Sequence, residues 1–216
     1  MPLPNNTMFY GMNLTDEQMT YGNSITDKLV TFVQARAGSG KTTVAVGTAK
    51  IMLGKDFKDL HYIFPTVKEK ALGFTTGDQK QKESKYLTPL HDALVSINEN
   101  PSQAIIGEPT KWGKPDSGWI HAYSHNYMRG GNIKNAVVII DEAQNLTKSE
   151  LRTILTRIHD SCHVVVMGDV NQCDIDPKQS GFYAYLMHYS TESYAQIVQL
   201  TKNFRGVISA RAETLS

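Results

Sequence analysis

Residues 33–43, VQARAGSGKTT, set a lysine and two threonines directly behind a glycine-rich turn. In the pattern G-x-x-x-x-G-K-[ST], successive backbone N–H groups point into a concavity and the following helix adds its positive N-terminal end. That cradle suits the phosphates of a nucleoside triphosphate. Gly40, Lys41 and Thr42 stand where the pattern requires them, while Ala35 replaces its first glycine. Arg36, Ala37, Gly38 and Ser39 make the turn and Thr43 follows it, so residues 35–43 are the expected contact with the nucleotide. Lys41 would neutralise the β and γ phosphates, and the Thr42 hydroxyl would ligate Mg2+.

A second stretch, AVVIIDEAQN at residues 136–145, is an apolar run that ends in Asp141 and Glu142. Both carboxylates then lie at the C-terminal edge of a parallel sheet, where such folds bind ligands. Asp141 can hold Mg2+ through its water shell, and Glu142 can reach the water that attacks the γ phosphate. Adjacent acids alone are ordinarily a solvated pair; behind a buried strand, in a chain that also carries GSGKT, they read as catalytic. The expected ligand is ATP with Mg2+, and Glu142 implies that it is hydrolysed. A third stretch, HVVVMGDVNQ at residues 163–172, runs into Gly168, Asp169 and Gln172. Polar groups there can sense the γ phosphate, the alternative being an ordinary strand-to-loop turn.

These groups converge only if the elements carrying them share one sheet edge. Short apolar, β-branched runs alternate along the chain with segments of helical period, the pattern of an α/β fold with a parallel sheet flanked by helices. Strands are expected at 30–34, 61–64, 136–140, 163–167 and 196–200. One helix should run from Lys41 to about Leu53 and stop at Gly54, a C′ glycine. TKSE, from Thr147, has the form of a capping box, and Leu151, Ile154, Leu155 and Ile158 then recur at i, i+3, i+4 and i+7. A third helix carries Leu87, Leu90 and Leu94 on one face. Residues 98–118 are rich in Pro, Gly and polar residues and are expected to be a surface loop or insertion within a single domain spanning 1–216.

With 216 residues and 40% hydrophobic content, one good core is expected. Twenty-two Lys and Arg against 21 Asp and Glu leave a net charge of +1, which excludes a polycation that coats nucleic acid; any such contact must be a local groove. Cys162 and Cys173 lack metal-ligand spacing and suit a reducing compartment, so a cytoplasmic protein is expected. The start MPLPNNTMFYG lacks a charged region followed by an apolar stretch, and no 18 consecutive apolar residues occur, so neither export nor a membrane span is expected.

The stretches LTDEQMTYGNSI, ARAGSGKT, DEAQN, GDVNQ and LTKNFRG occur in the order and rough spacing of the first RecA-like domain of superfamily 1 helicases, a P-loop NTPase fold. Closer still, ALGFTTGDQKQKESKYLTPLHDAL, YMRGGNIKNAVVIIDEAQNLT, LTRI and GDVNQCDI with a later SGF resemble the PhoH family over residues 14–206. The resemblance implies a single-domain ATPase of bacteria and their phages, in the host cytoplasm if phage-encoded. It further implies RNA helicase or nucleic-acid remodelling activity and a hexameric ring. By the same resemblance Gln18 is the adenine-reading glutamine, Lys41 and Thr42 the phosphate and Mg2+ ligands, Asp141 the metal-holding acid and Glu142 the general base. Gln172 becomes the coupling glutamine and Arg205, in NFRG, the arginine on the γ phosphate. Two positions depart from the pattern: Ala35, and Gly131 where PhoH relatives usually carry an arginine.

Arg129 and Lys134, or Lys80, Lys82 and Lys85, could contact the phosphates of a single strand, with Tyr86, Tyr123 or Trp119 as stacking surfaces. These lysines equally suit a solvated face. Three readings stay open: an ATPase stimulated by RNA or single-stranded DNA, an ATPase acting on a protein partner, and a nucleotide switch with negligible turnover, against which Glu142 argues. A superfamily 1 helicase closes a second RecA-like domain over its nucleotide, and 216 residues leave no room for one after Arg205. A neighbouring copy or another protein is therefore expected to close the site, with Arg129, Arg152, Arg157 and Arg211 as candidates for an arginine supplied in trans.

Overall fold

The computed structural model describes residues 9–53, 57, 59–66, 85–106, 118–128 and 131–212. Six strands, β1 (Val30–Ala35), β2 (Asp59–Phe64), β3 (Ile120–Ser124), β4 (Ala136–Ile140), β5 (His163–Gly168) and β6 (Ala195–Leu200), form one sheet in the order β3-β2-β4-β5-β1-β6. Every pairing is parallel. The strands therefore end at one edge, and β1, β5 and β4, which carry the three polar stretches, are adjacent there.

β4 is apolar along its whole length because both its faces are covered, and all five of its residues are buried. On one face Val33, Val137, Ile139 and Val165 pack under α1 (Asp16–Asp27), α2 (Lys41–Met52) and α3 (Thr88–Ser96). On the other, Phe32, Val138, Ile140 and Val166 pack under α5 (Lys148–Leu155) and α6 (Phe182–Tyr189). A four-residue helix, α4 (Pro101–Ala104), and a C-terminal α7 (Val207–Ala212) complete the set.

The expected strands are all present, with ends shifted by at most two residues. β3 is unexpected: IHAYS is half polar, an edge strand that pairs with β2, Leu60 opposite Ile120 and so on along it. So is α1, although Thr15 and Gln18 form its complete capping box. The expected box at Thr147 and Glu150 is present, but α5 ends at Leu155, so Ile158 lies beyond it in an isolated bridge to Ile133. Part of the loop expected at 98–118 is ordered differently. Asn100 caps α4, and Ala104 and Ile105 are buried, because Ile105 bridges to Ile120 at the sheet edge. Residues 107–117, Gly54, Lys80, Lys82 and Arg129 lie outside the described residues.

Candidate functional site

β1 delivers the glycine-rich turn at the sheet edge. Ala35 is the last strand residue, buried in the core with an ordinary backbone, so a methyl group fits where the pattern has glycine. Gly38 and Gly40 do need glycine: their φ values are 70° and 78°, in the left-handed region. Gly40 is the N-cap of α2 and no side chain caps the helix, so the first-turn N–H groups, without intrahelical partners, can face a ligand. The loop also buries the Ser39 hydroxyl with no hydrogen-bond partner. A cradle of left-handed glycines, free helical N–H groups and an orphaned buried hydroxyl fits a phosphate chain.

Two other segments lean on the loop. A β carbon at Gly40 would lie 2.9 Å from Gln18 Nε2, and one at Gly38 would lie 2.6 Å from Arg205 Cγ. Gln18 Nε2 donates to the Ser39 carbonyl at 3.0 Å while its Oε1 accepts from Thr15 N–H at 3.1 Å. The structure thus places Gln18 as a brace between α1 and the loop, beside the phosphate cradle. On the other side Phe204 N–H donates to Gly38 O at 2.9 Å, which brings the NFRG segment and the exposed Arg205 against the loop. Glu17 ties these two supports together: its carboxylate accepts from Thr201 N–H at 2.8 Å and from the Thr201 hydroxyl at 2.6 Å.

β4 delivers the acids. Asp141 is buried and accepts from the Tyr62 hydroxyl at 2.5 Å, the Thr42 hydroxyl at 3.3 Å and the Glu142 N–H at 2.8 Å. Glu142 takes a left-handed φ of 50°, unusual for a non-glycine residue. Lys41 Nζ reaches across, 2.8 Å from Glu142 Oε1 and 3.8 Å from Asp141 Oδ1. Burial alone would pull the Lys41 pKa down, but Asp141 and Glu142 outweigh it and hold the ammonium up at about 12. Burial pushes Asp141 up, with Lys41 opposing. For Glu142 burial also pushes upward, and Lys41, Gln144 and the charge of Arg205 overcome it, holding the carboxyl below the usual range. The same contacts favour the anionic form of Glu142.

β5 delivers the third stretch. Asp169 is buried, while the Gln172 side chain is exposed, with its carbonyl turned inward. The link between the stretches is Gln144, which sequence reasoning missed. Its Nε2 donates to Glu142 Oε2 at 2.6 Å and to Gln172 O at 3.1 Å, and its Oε1 accepts from Asp169 N–H at 3.1 Å. Gly168 is required beneath it, since a β carbon there would lie 2.7 Å from Gln144 Oε1. Asn145 makes two further bonds to Asp174, at 2.9 and 2.7 Å. Tyr62 and Glu17 were also missed.

Of the arginines considered for action in trans, Arg152 is exposed on α5, Arg211 lies on α7, and Arg157 sits at the opposite edge of the sheet, where its carbonyl accepts from Ile133 N–H. The two expected Mg2+ ligands are adjacent, the Thr42 hydroxyl lying 3.3 Å from Asp141 Oδ2.

Residues 12–212 match the family described as PhoH-like protein. Protein PhoH of Escherichia coli (strain K12) is 32% identical over 176 residues, covering 79% of this chain and 48% of that protein. A PhoH-like protein of Synechocystis sp. is 36% identical over 148 residues, covering 68% of this chain and 43% of the relative. The chain thus spans about half the length of the curated relatives it matches. Among solved structures, the large terminase from a thermophilic bacteriophage, in complex with ADP, aligns with a TM-score of 0.54 and 14% identity, over 94% of this chain and 48% of that one. The Pyrococcus furiosus Hef helicase domain aligns at 0.52 and 11%, over 86% and 38%. At these identities the likeness is one of fold.

Proposed function

The chain belongs to the PhoH-like protein family, and from that membership we propose that it is an Mg2+-dependent ATPase whose turnover is coupled to single-stranded RNA or DNA. The observation that carries the ATPase reading is the span of Lys41 from the loop to Glu142, because it joins the phosphate cradle to a base at one point. The N–H groups after Gly40, the Ser39 hydroxyl and Lys41 hold the phosphate chain, with Gln18 and Arg36 at its flanks. Thr42 and Asp141 hold Mg2+, which when bound supplies positive charge to the phosphate oxygens. Tyr62 fixes the Asp141 carboxylate. Glu142 accepts the proton of the attacking water, and Lys41 on Oε1 and Gln144 on Oε2 fix the orientation of its carboxylate. Gln172 and Asp169, tied to Gln144, report the state of the γ phosphate, and Arg205 meets the charge that develops there.

A neighbouring copy, in a ring, closes the site over Arg205, and the protein acts in the cytoplasm, where Cys162 and Cys173 stay thiols. No helix among the described residues is long and apolar enough to cross a membrane. A second reading, an ATPase acting on a protein partner, is favoured by the exposed Phe204, Val207 and Ile208 beside Arg205.

Binding of a fluorescent ATP analogue tests the site. Lys41→Ala should lose tight binding and Glu142→Gln should keep it, since the amide fills the same space without carrying a phosphate contact. Undiminished binding by Lys41→Ala would overturn the assignment.

A further inference from the structure

A cavity away from the nucleotide loop lies between α5 and α6. It has a volume of about 560 Å3 and is lined by Lys148, Ser149, Arg152, Ala184, Tyr185 and His188. Lys148 and Arg152 are one helical turn apart on α5, and Ala184 and His188 are one turn apart on α6, so each helix turns one face into the groove. Lys148, Arg152 and His188 are exposed, and neither Lys148 nor Arg152 has an acidic partner among the described residues. Among the described residues no acid lines the groove, in a chain whose charges otherwise nearly cancel. Tyr185 adds a half-buried ring to the wall. Cations along a trough with an aromatic face match the phosphates and bases of a single strand better than an acidic peptide, which offers no ring to stack.

The groove begins where the site's loops end. Thr147, the cap of α5, comes five residues after Glu142 and bridges to Ser180, while Gly181 N–H donates to Leu146 O at 2.8 Å. A β carbon on Gly181 would lie 2.8 Å from Lys148 Cα, so the two helix starts are in close backbone contact. Upstream, Gln144 ties the Glu142 segment to the Gln172 segment. Both walls of the groove are therefore anchored to the strand-end loops that hold the base and its γ-phosphate sensors.

We propose that the α5–α6 groove is the seat of the single-stranded nucleic acid, its phosphates on Lys148 and Arg152 and a base on Tyr185, and that strand binding there reaches Glu142 through the segments that begin the two helices. This rests on the nucleic-acid-coupled reading above.

The test is fluorescence anisotropy with a labelled 12-nucleotide oligo(U) and oligo(dT) across a salt series. It compares the wild-type chain, Lys148→Ala/Arg152→Ala, Tyr185→Leu and the control Lys28→Ala/Lys178→Ala, each checked for folding by circular dichroism. Each phosphate contact on a single strand contributes about 0.7 to the slope of log K against log salt, so the double variant should bind about tenfold or more weakly, with a slope smaller by about 1.4. Tyr185→Leu should bind more weakly with the slope unchanged, and the control should match wild type. Wild-type affinity and slope in the double variant would overturn the groove and leave the nucleic-acid reading standing. Failure of the wild-type chain to bind either strand, including a case in which poly-glutamate binds the groove instead, would overturn both. Loss of ATP turnover by the double variant without nucleic acid, restored on mixing with Lys41→Ala protein, would reassign Arg152 to a neighbour's nucleotide site and overturn the proposal.

Discussion

A carboxylate serves as a general base only when its lone pair faces the proton it takes, and at Glu142 the chain fixes that direction from two sides. Lys41 holds Oε1 and Gln144 holds Oε2, so removing Gln144 should leave the phosphate cradle intact while letting the carboxylate turn. Gln144→Ala is therefore expected to keep KM for ATP within a few-fold and to lose part of the about 10²–10⁴-fold in kcat that a positioned base supplies. A KM change as large as the kcat change would assign Gln144 to binding instead. Lys41, Thr42, Asp141 and Glu142 were legible in the sequence because their chemistry is compressed into two short stretches after apolar strands. Tyr62 and Glu17 were not, because each acts on a partner far along the chain, Asp141 and Thr201, and nothing in the spacing of DLHYIF or DEQ announces that partner.

At the scale of elements, the loop works because α1 and the segment after β6 press on it. Gly40 cannot gain a β carbon without a left-handed alanine, about 1–2 kcal/mol, and contact with Gln18 at 2.9 Å. Gly40→Ala should lower affinity for the ATP analogue by more than tenfold with only a modest fall in melting temperature; unchanged affinity would show that the N-cap geometry does not set binding. A second prediction concerns the β2–β3 edge. His61 stacks on His121 at 4.8 Å and hydrogen-bonds Tyr123, and burial followed by the charge of His121 holds it down to about 4, against the opposing pull of Asp59. An unfolded histidine titrates near about 6.5. Between those values the unfolded chain binds more protons, so stability falls as pH drops through that window and is constant in this respect above it. The urea midpoint should fall from pH 7.5 to pH 5, and by less in His61→Gln; equal falls would clear His61. The strand that escaped the sequence reading belongs to this same edge. The buried strands announced themselves through unbroken apolar runs, whereas His121 and Tyr123 make IHAYS alternate without an apolar face long enough to be seen.

For the whole molecule, the parallel order brings β4, β5 and β1 together, so three stretches spread over residues 33–172 are joined by hydrogen bonds, Lys41 to Glu142 and Asp169 to Gln144. The fold class was legible because alternating strands and helices leave few other arrangements. The α5–α6 groove was not, since its two walls come from helices whose exposed faces carry no motif. Under the proposed coupling, a strand in the groove reaches Glu142 along residues 143–146, which lead from it to α5, and through the Gln144 bridge, which joins the Gln172 segment to Glu142. The most direct measurement is steady-state ATP turnover by the wild-type chain and Glu142→Gln, side by side, with and without a single-stranded oligonucleotide at low and at physiological salt. The account predicts that wild-type turnover rises with the strand and that the rise shrinks as salt increases, while Glu142→Gln falls by about 10² or more under every condition. Equal turnover in the two proteins, or a wild-type rate indifferent to every strand at low salt, would contradict it.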